Sequence, residues 1–226
     1  MGALANIDEK VNEWGKKDLY YDGPINSVTY EGSMYGIPLD SNTICLYYNK
    51  DMFEEAGLEG PPNTWEELTE YSKLLTNTEN NTKGIAFSAK KSEEGTFQFL
   101  PFVQQAGGNY KELNSKEAIS ALELWQELVV DGWASSEVIN ITQNEAVGLL
   151  ASGNVGMAIS GPWSIPLMKN ADFEWGVAML PYKEGVGVRS SALGGFNMSI
   201  MKQSNQINES WEFIKWLQSE EVMADL

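Results

Sequence analysis

Apolar positions in this chain fall into short continuous runs separated by amphipathic stretches. Ile44-Cys-Leu-Tyr-Tyr48, residues 84–88, Val155-Gly-Met-Ala-Ile-Ser160 and residues 173–181 are short and rich in β-branched or aromatic residues, so they predict buried strands. Between them lie patterns of helical period. A short helix is expected over 50–56, closed by Gly57, and one over 64–75 with Trp65, Leu68, Tyr71 and Leu75 on one stripe. Thr64 and Glu67 have the spacing of a capping box. Further helices are predicted over 97–108, with Pro101 near the first turn or at a kink, and over 115–131, 144–152 and 208–217. In the 115–131 helix Ile119, Leu122, Trp125 and Val129 form the expected buried stripe, with Lys116, Glu123 and Glu127 outside. Strands alternating with helices predict an α/β sheet with helices on both faces.

The flanks read differently. Residues 1–24 are polar with sparse apolar positions, and Asp22-Gly-Pro24 is a turn signal. Residues 28–37 predict two short strands about Glu31-Gly-Ser33. Pro38 biases Ile37 toward extended geometry, so the chain should cross from one strand to another through 39–43. Asp40 and Asn42 stand at the mouth of the strand that follows. They are either turn residues or ligand contacts, because dry unpaired polar groups there would cost about 1–3 kcal/mol each.

Composition narrows the function classes. With 226 residues, 42% of them hydrophobic, the chain can bury a substantial core as one or two domains. A formal net charge of −17 argues against nucleic acid and against anionic lipid surfaces. No stretch approaches the roughly 20 apolar residues of a membrane span. Cys45 is the lone cysteine, so no intrachain disulfide forms, and its place in a strand reads as core. With no histidine, metal capture through imidazole or thiolate is close to excluded, and no cofactor is implied. There is no Gly-x-Ser-x-Gly elbow and no phosphate-binding loop. The single arginine, Arg189, and the lack of a lysine cluster favour a neutral ligand over phosphate or dicarboxylate.

Four stretches occur in an order that identifies a family. Tyr35-Gly-Ile-Pro38 with Asp40 and Leu46-Tyr-Tyr-Asn-Lys-Asp-Met-Phe53 comes first, then Pro62 with Thr64-Trp-Glu-Glu67. Strand 155–160 follows with Gly161-Pro-Trp163, and then Ala192-Leu-Gly-Gly-Phe-Asn-Met-Ser-Ile200. Together they resemble the family 1 extracellular solute-binding proteins, the maltose-binding-protein-like receptors of ABC importers. The resemblance implies a type II periplasmic-binding-protein fold of two lobes joined by hinge crossovers. Residues 1–39 would belong to the N-terminal lobe, 40–191 would form the C-terminal lobe, and 192–226 would be the second crossover and return segment. Family members are exported and longer, so the chain is expected to be an internal segment, with one lobe incomplete.

The family's cleft supplies the site expectations. Trp163 follows a break at the C-terminal end of a strand, where open α/β sheets bind ligands, and an indole there suits the C–H face of a pyranose. The competing reading is a tryptophan closing the rim of the core. Phe97 aligns with an aromatic cleft position and is preferred to Phe99, which cannot share its helical face. Asp40, Asn42, Phe196 and Asn197 complete the candidate set, with Gly194-Gly195 allowing close backbone approach. Trp65, Trp125, Trp211 and Trp216 are expected in the core. The implied function is a monomeric, extracytoplasmic receptor, periplasmic or lipid-anchored. It would take up a neutral oligosaccharide by lobe closure and hand it to ABC permease subunits. A polyamine receptor is the alternative, since carboxylates and aromatic walls also suit a cation. A glycoside hydrolase is the enzymatic one, but it needs two placed carboxyl groups and only Asp40 is placed by motif.

Overall fold

The computed structural model describes residues 2–225. Its elements begin with α1 (Asp8–Trp14), α2 (Asp22–Ser27), β1 (Thr29–Tyr30), β2 (Ser33–Met34), β3 (Ile37–Pro38), β4 (Asn42–Thr43), β5 (Cys45–Asn49) and α3 (Lys50–Glu55). They continue with α4 (Trp65–Leu74), β6 (Lys83–Ala86), α5 (Glu93–Gln105), α6 (Lys116–Val130), α7 (Gln143–Ala151) and β7 (Val155–Ser160). The last are α8 (Ile165–Met168), β8 (Trp175–Ala178), β9 (Leu193–Gly194), β10 (Asn197–Met198), α9 (Ile207–Leu217) and α10 (Glu220–Asp225). The chain divides into two compact units, one of Met1–Asn42 with Leu193–Leu226 and the other of Thr43–Ala192.

The larger unit is built on one mixed sheet in the order β6-β7-β5-β8. β6 runs parallel to β7, while β5 is antiparallel to both β7 and β8, with Leu46 opposite Ile159 and Ala178. Alternation sorts the side chains of these strands to two faces. Leu46, Ile85, Met157 and Ile159 meet Trp65, Leu68, Phe102 and Leu128 of α4, α5 and α6. Tyr47, Ala86 and Ala158 meet Val147 and Leu150 of α7 and Met168 of α8. The expected α/β sheet with helices on both faces is therefore present.

Local chemistry sets the helix starts. The Asn49 side chain caps α3 by accepting from Met52 N, and Thr64 caps α4 by accepting from Glu67 N at 3.1 Å. Glu67 returns not to Thr64 but to the Asn63 amide, at 2.6 Å, so the expected box closes one residue early. A complete capping box forms instead between Thr142 and Glu145 at the start of α7, which begins at Gln143, one residue before the expected start. α5 also begins earlier than expected, with Glu93 and Glu94 in its first turn, where carboxylates complement the helix dipole. Pro101 thus lies inside the helix and leaves the Phe97 carbonyl without its usual i+4 amide.

The stripe on α6 differs from the sequence expectation. Ala118, Ala121, Leu124, Trp125 and Leu128 are buried, whereas Ile119 and Leu122 are 47% and 58% exposed. α6 carries apolar residues on most of its circumference, so period alone does not choose a face. Its neighbours choose it. Trp125 meets Phe87 at 4.6 Å, Phe99 at 5.1 Å and Phe102 at 5.7 Å between ring centroids, and the two alanines lie in the same core cluster.

The smaller unit has its own core of Ile7, Val11, Ile25, Val28, Met34, Ile37, Trp211 and Ile214. Trp14 meets Trp211 edge-on at 5.7 Å, joining α1 to α9. β1 and β2 form the expected hairpin, and β3 pairs antiparallel with β10, placing Pro38 opposite Asn197. Asp22-Gly-Pro24 is not a turn but the opening of α2, because proline is tolerated in a helix's first turn. Trp216, expected in the core, is exposed and stacks on Phe213 along the outer side of α9.

Candidate ligand-binding site

In the larger unit β7 ends at Ser160, and the chain turns at once through a single 3-10 turn, Pro162–Ser164. Pro162 suits the first position of such a turn because its missing N–H would go unpaired there anyway. Trp163 projects from it, 37% exposed, in contrast to the buried Trp65 and Trp125. Its ring lies over Gly161, where an added Cβ would overlap the indole and stand 2.7 Å from the Thr43 carbonyl oxygen. Only glycine leaves the indole that seat.

Phe97 sits near the N-terminal end of α5, half-buried, and packs against the main core. Phe99 belongs to the aromatic cluster around Trp125. Their helix is fixed by two buried glutamines that the sequence reading did not single out. Gln98 accepts from Ser88 N and donates to the Ile159 carbonyl, each at 2.8 Å. Gln105 accepts from Trp65 Nε1 at 2.9 Å and donates to the Ser190 carbonyl at 2.8 Å. Arg189 lies over the Tyr182 ring at 4.6 Å and donates to Asn63, so its guanidinium is engaged on the surface of this unit.

The smaller unit brings Asp40 and Asn197 to one cavity of about 170 Å3, which Ser27, Ser41 and Gly194 also line. Asp40 Oδ1 accepts from Phe196 N at 2.6 Å, and Leu39 N donates to the Phe196 carbonyl at 2.7 Å. Gly195 makes this turn possible: its φ is +137°, and a Cβ there would run into the Asp40 backbone oxygen. Phe196 is 68% exposed. Asn197 Nδ2 donates to Ser27 Oγ at 3.1 Å. Asn42 lies in β4, partly buried, outside the lining of this cavity.

A second cavity of about 410 Å3 in the same unit is lined by Leu4, Val28, Tyr30, Tyr35, Asn197 and Ser199 among others. In sequence Tyr30 reads only as a residue of the 28–37 hairpin, and Tyr35 only as a hairpin residue that opens the Tyr35-Gly-Ile-Pro38 motif. Their alternation in a short hairpin carried the only signal, and it does not separate a cavity wall from a strand edge. Asn197 borders both cavities, offering an amide that both donates and accepts.

Burial pushes the Cys45 thiol up to about 11, so it is a weak nucleophile near neutral pH. Burial likewise raises the Tyr47 hydroxyl well above the ordinary phenol range. Among the described residues no group of three or more His, Cys, Asp or Glu is arranged to hold a metal ion, and no helix is long and apolar enough to cross a membrane.

The family profile described as bacterial extracellular solute-binding protein matches residues 1–224. A maltotriose-binding protein of Pyrococcus abyssi is 26% identical over 95% of this chain and 47% of its own length. A galactooligosaccharide-binding protein of Bacillus subtilis is 28% identical over 85% of this chain and 48% of its own. Among solved structures, an ABC transporter solute-binding protein of Thermotoga lettingae bound with α-D-tagatose superposes with a TM-score of 0.87. It is 30% identical, over 98% of this chain and 59% of that one. The chain spans about half the length of the curated relatives it matches.

Proposed function

Because this chain belongs to the bacterial extracellular solute-binding protein family, we propose that it serves in an ABC importer receptor that captures a neutral carbohydrate for delivery to permease subunits. Its fold is that of the type II periplasmic binding proteins. The observation that carries the ligand class is Trp163, a large indole held partly in solvent at the C-terminal end of a central strand. A flat apolar face with one N–H donor matches a sugar ring, whose C–H groups stack while its hydroxyls seek polar partners. Named relatives that bind maltotriose and galactooligosaccharide support the same class.

In this reading the larger unit, corresponding to the C-terminal lobe, contributes Trp163 and the exposed part of Phe97. The smaller unit contributes Asp40, Asn42, Phe196 and Asn197. One Asp40 oxygen is taken by the Phe196 amide, which aims the carboxylate and leaves its other oxygen to accept sugar hydroxyls. The single arginine packs on Tyr182 and donates to Asn63 on the surface of the larger unit, which supports a neutral ligand over a phosphate or dicarboxylate. Binding proceeds without turnover, and the receptor works as a monomer outside the cytoplasm, in the periplasm or on a lipid anchor.

Tryptophan fluorescence tests this directly. The protein is titrated with maltotriose, galactobiose, mannobiose and spermidine, and each mixture is followed for hours. A saturable, persistent shift with a sugar is expected. A shift that decays as the sugar is cleaved would assign a glycoside hydrolase, and response to spermidine alone would assign a polyamine receptor.

A further inference from the structure

The turn that carries Trp163 is a single 3-10 turn, and the residue before it, Gly161, has no side chain to cap it. So short a segment cannot orient an indole by itself. The restraint comes from the neighbouring strand. Tyr47 of β5 pairs in register with Ala158 of β7, yet its long side chain reaches along the strand, and its hydroxyl donates to the Gly161 carbonyl at 2.7 Å. Two residues back on the same face, the Cys45 thiol approaches the Ser160 carbonyl at 3.4 Å. Beyond the turn, Ser160 Oγ and Ser164 Oγ share a hydrogen bond at 2.7 Å. Successive carbonyls at the end of β7 are therefore held from β5, and the far end of the turn is tied back to the strand. Tyr47, Ser160 and Ser164 are all buried. The Gly161 carbonyl accepts from Ser164 N at 3.0 Å within the turn and from the Tyr47 hydroxyl of β5, and the Trp163 ring covers the residue.

We propose that Tyr47 is the positioning residue of Trp163, fixing through the Gly161 carbonyl the direction in which the indole is offered to ligand. The proposal rests on the reading of Trp163 as the stacking face and names what makes that face specific. Packing does not require the hydroxyl, since phenylalanine would fill the same space between β7 and Trp175, whose ring centroid lies 6.0 Å away. What the hydroxyl adds is a directed donor. Because burial raises its pKa, the group stays protonated, and so remains a donor, well above neutral pH. A preset indole loses less side-chain freedom when a ring stacks on it, so orientation before binding becomes affinity.

Tyr47→Phe tests this in the full chain labelled with 5-fluorotryptophan. The 19F signal of Trp163 is assigned by its loss in Trp163→Phe. In the ligand-free protein Tyr47→Phe is expected to shift and broaden that signal, while those of Trp14 and Trp211 in the other unit stay in place. Kd for maltotriose should rise about five- to tenfold, the weight of one buried hydrogen bond. Tyr71→Phe removes a hydroxyl away from the turn and should change neither. A folded Tyr47→Phe protein with an unchanged Trp163 signal overturns the proposal and leaves the hydroxyl a merely structural group. If Tyr47→Phe does not fold, 4-chlorophenylalanine at position 47, which fills the hydroxyl's space but cannot donate, decides by the same signal. If Trp163→Ala leaves sugar binding intact, the stacking reading falls, while the 19F response of the free protein still decides the positioning.

Discussion

Asp40 and Phe196, 156 positions apart in sequence, are joined by a 2.6 Å hydrogen bond from the Phe196 amide to Asp40 Oδ1. The carboxylate that motif order offers as a ligand contact is thus also the residue that shapes the Gly195–Phe196 turn. Binding and folding roles separate by substitution. Asp40→Ala removes the acceptor and should destabilise the smaller unit by about 1–3 kcal/mol, read as a lower urea midpoint. Asp40→Asn keeps a side-chain acceptor for the amide, so it should retain most of that stability while losing sugar affinity. Equal stability loss in both variants would show that the charge itself matters to the turn.

Trp163 and Trp125 should respond oppositely to truncation. Trp163→Ala is expected to lose at least tenfold in sugar affinity with little change in unfolding midpoint. Trp125→Ala opens a cavity among Phe87, Phe99 and Phe102 and should cost about 3–5 kcal/mol. Trp125→Phe should cost much less, because the buried Trp125 Nε1 makes no hydrogen bond within the protein. Chemical denaturation of the three variants, each paired with a maltotriose titration, checks the contrast.

Acid sensitivity should trace in part to Asp8. Its carboxylate accepts from Met34 N at 2.8 Å, and chiefly this bond holds its pKa below the ordinary carboxylate value. A depressed folded pKa means that the stabilisation is present above the unfolded value, near about pH 4, and is lost as pH falls through the folded one. Asp8→Asn should therefore be less stable than the parent at pH 6, and the difference should shrink toward pH 2. Urea midpoints measured across that range would refute this if the gap stayed constant.

Cys45 should be a silent thiol in the folded protein. Burial raises its pKa to about 11, above the unfolded value, so its stabilising contribution is complete below about pH 8.5 and declines as pH rises toward 11. Alkylation by iodoacetamide at pH 8 should be slow in native buffer and rapid in urea. Rapid reaction of the native protein would mean that β5 opens readily at its Cys45 end.

By itself the sequence determined the alternation of strands and helices, the strand that opens at Cys45, the strand that ends in Gly161-Pro-Trp163 and the Thr64 cap. These are readable because each depends on residues within a few positions of one another: a β-branched run, a hydroxyl three residues before an amide, a proline at a turn. The family was legible for the same reason, as an order of short motifs. Tertiary structure decided what depends on distant partners. α6 has apolar residues nearly all round, and the aromatic rings of Phe87, Phe99 and Phe102 select its Trp125 face and leave Ile119 and Leu122 in solvent. Trp216 satisfies the helical stripe of α9, yet it falls beyond the reach of the core that buries Trp211. Tyr47 reads simply as one more apolar strand residue. Only the packing of β5 against β7 brings its hydroxyl to the Gly161 carbonyl, because a hydrogen bond between residues 114 apart is set by register and reach rather than by local pattern.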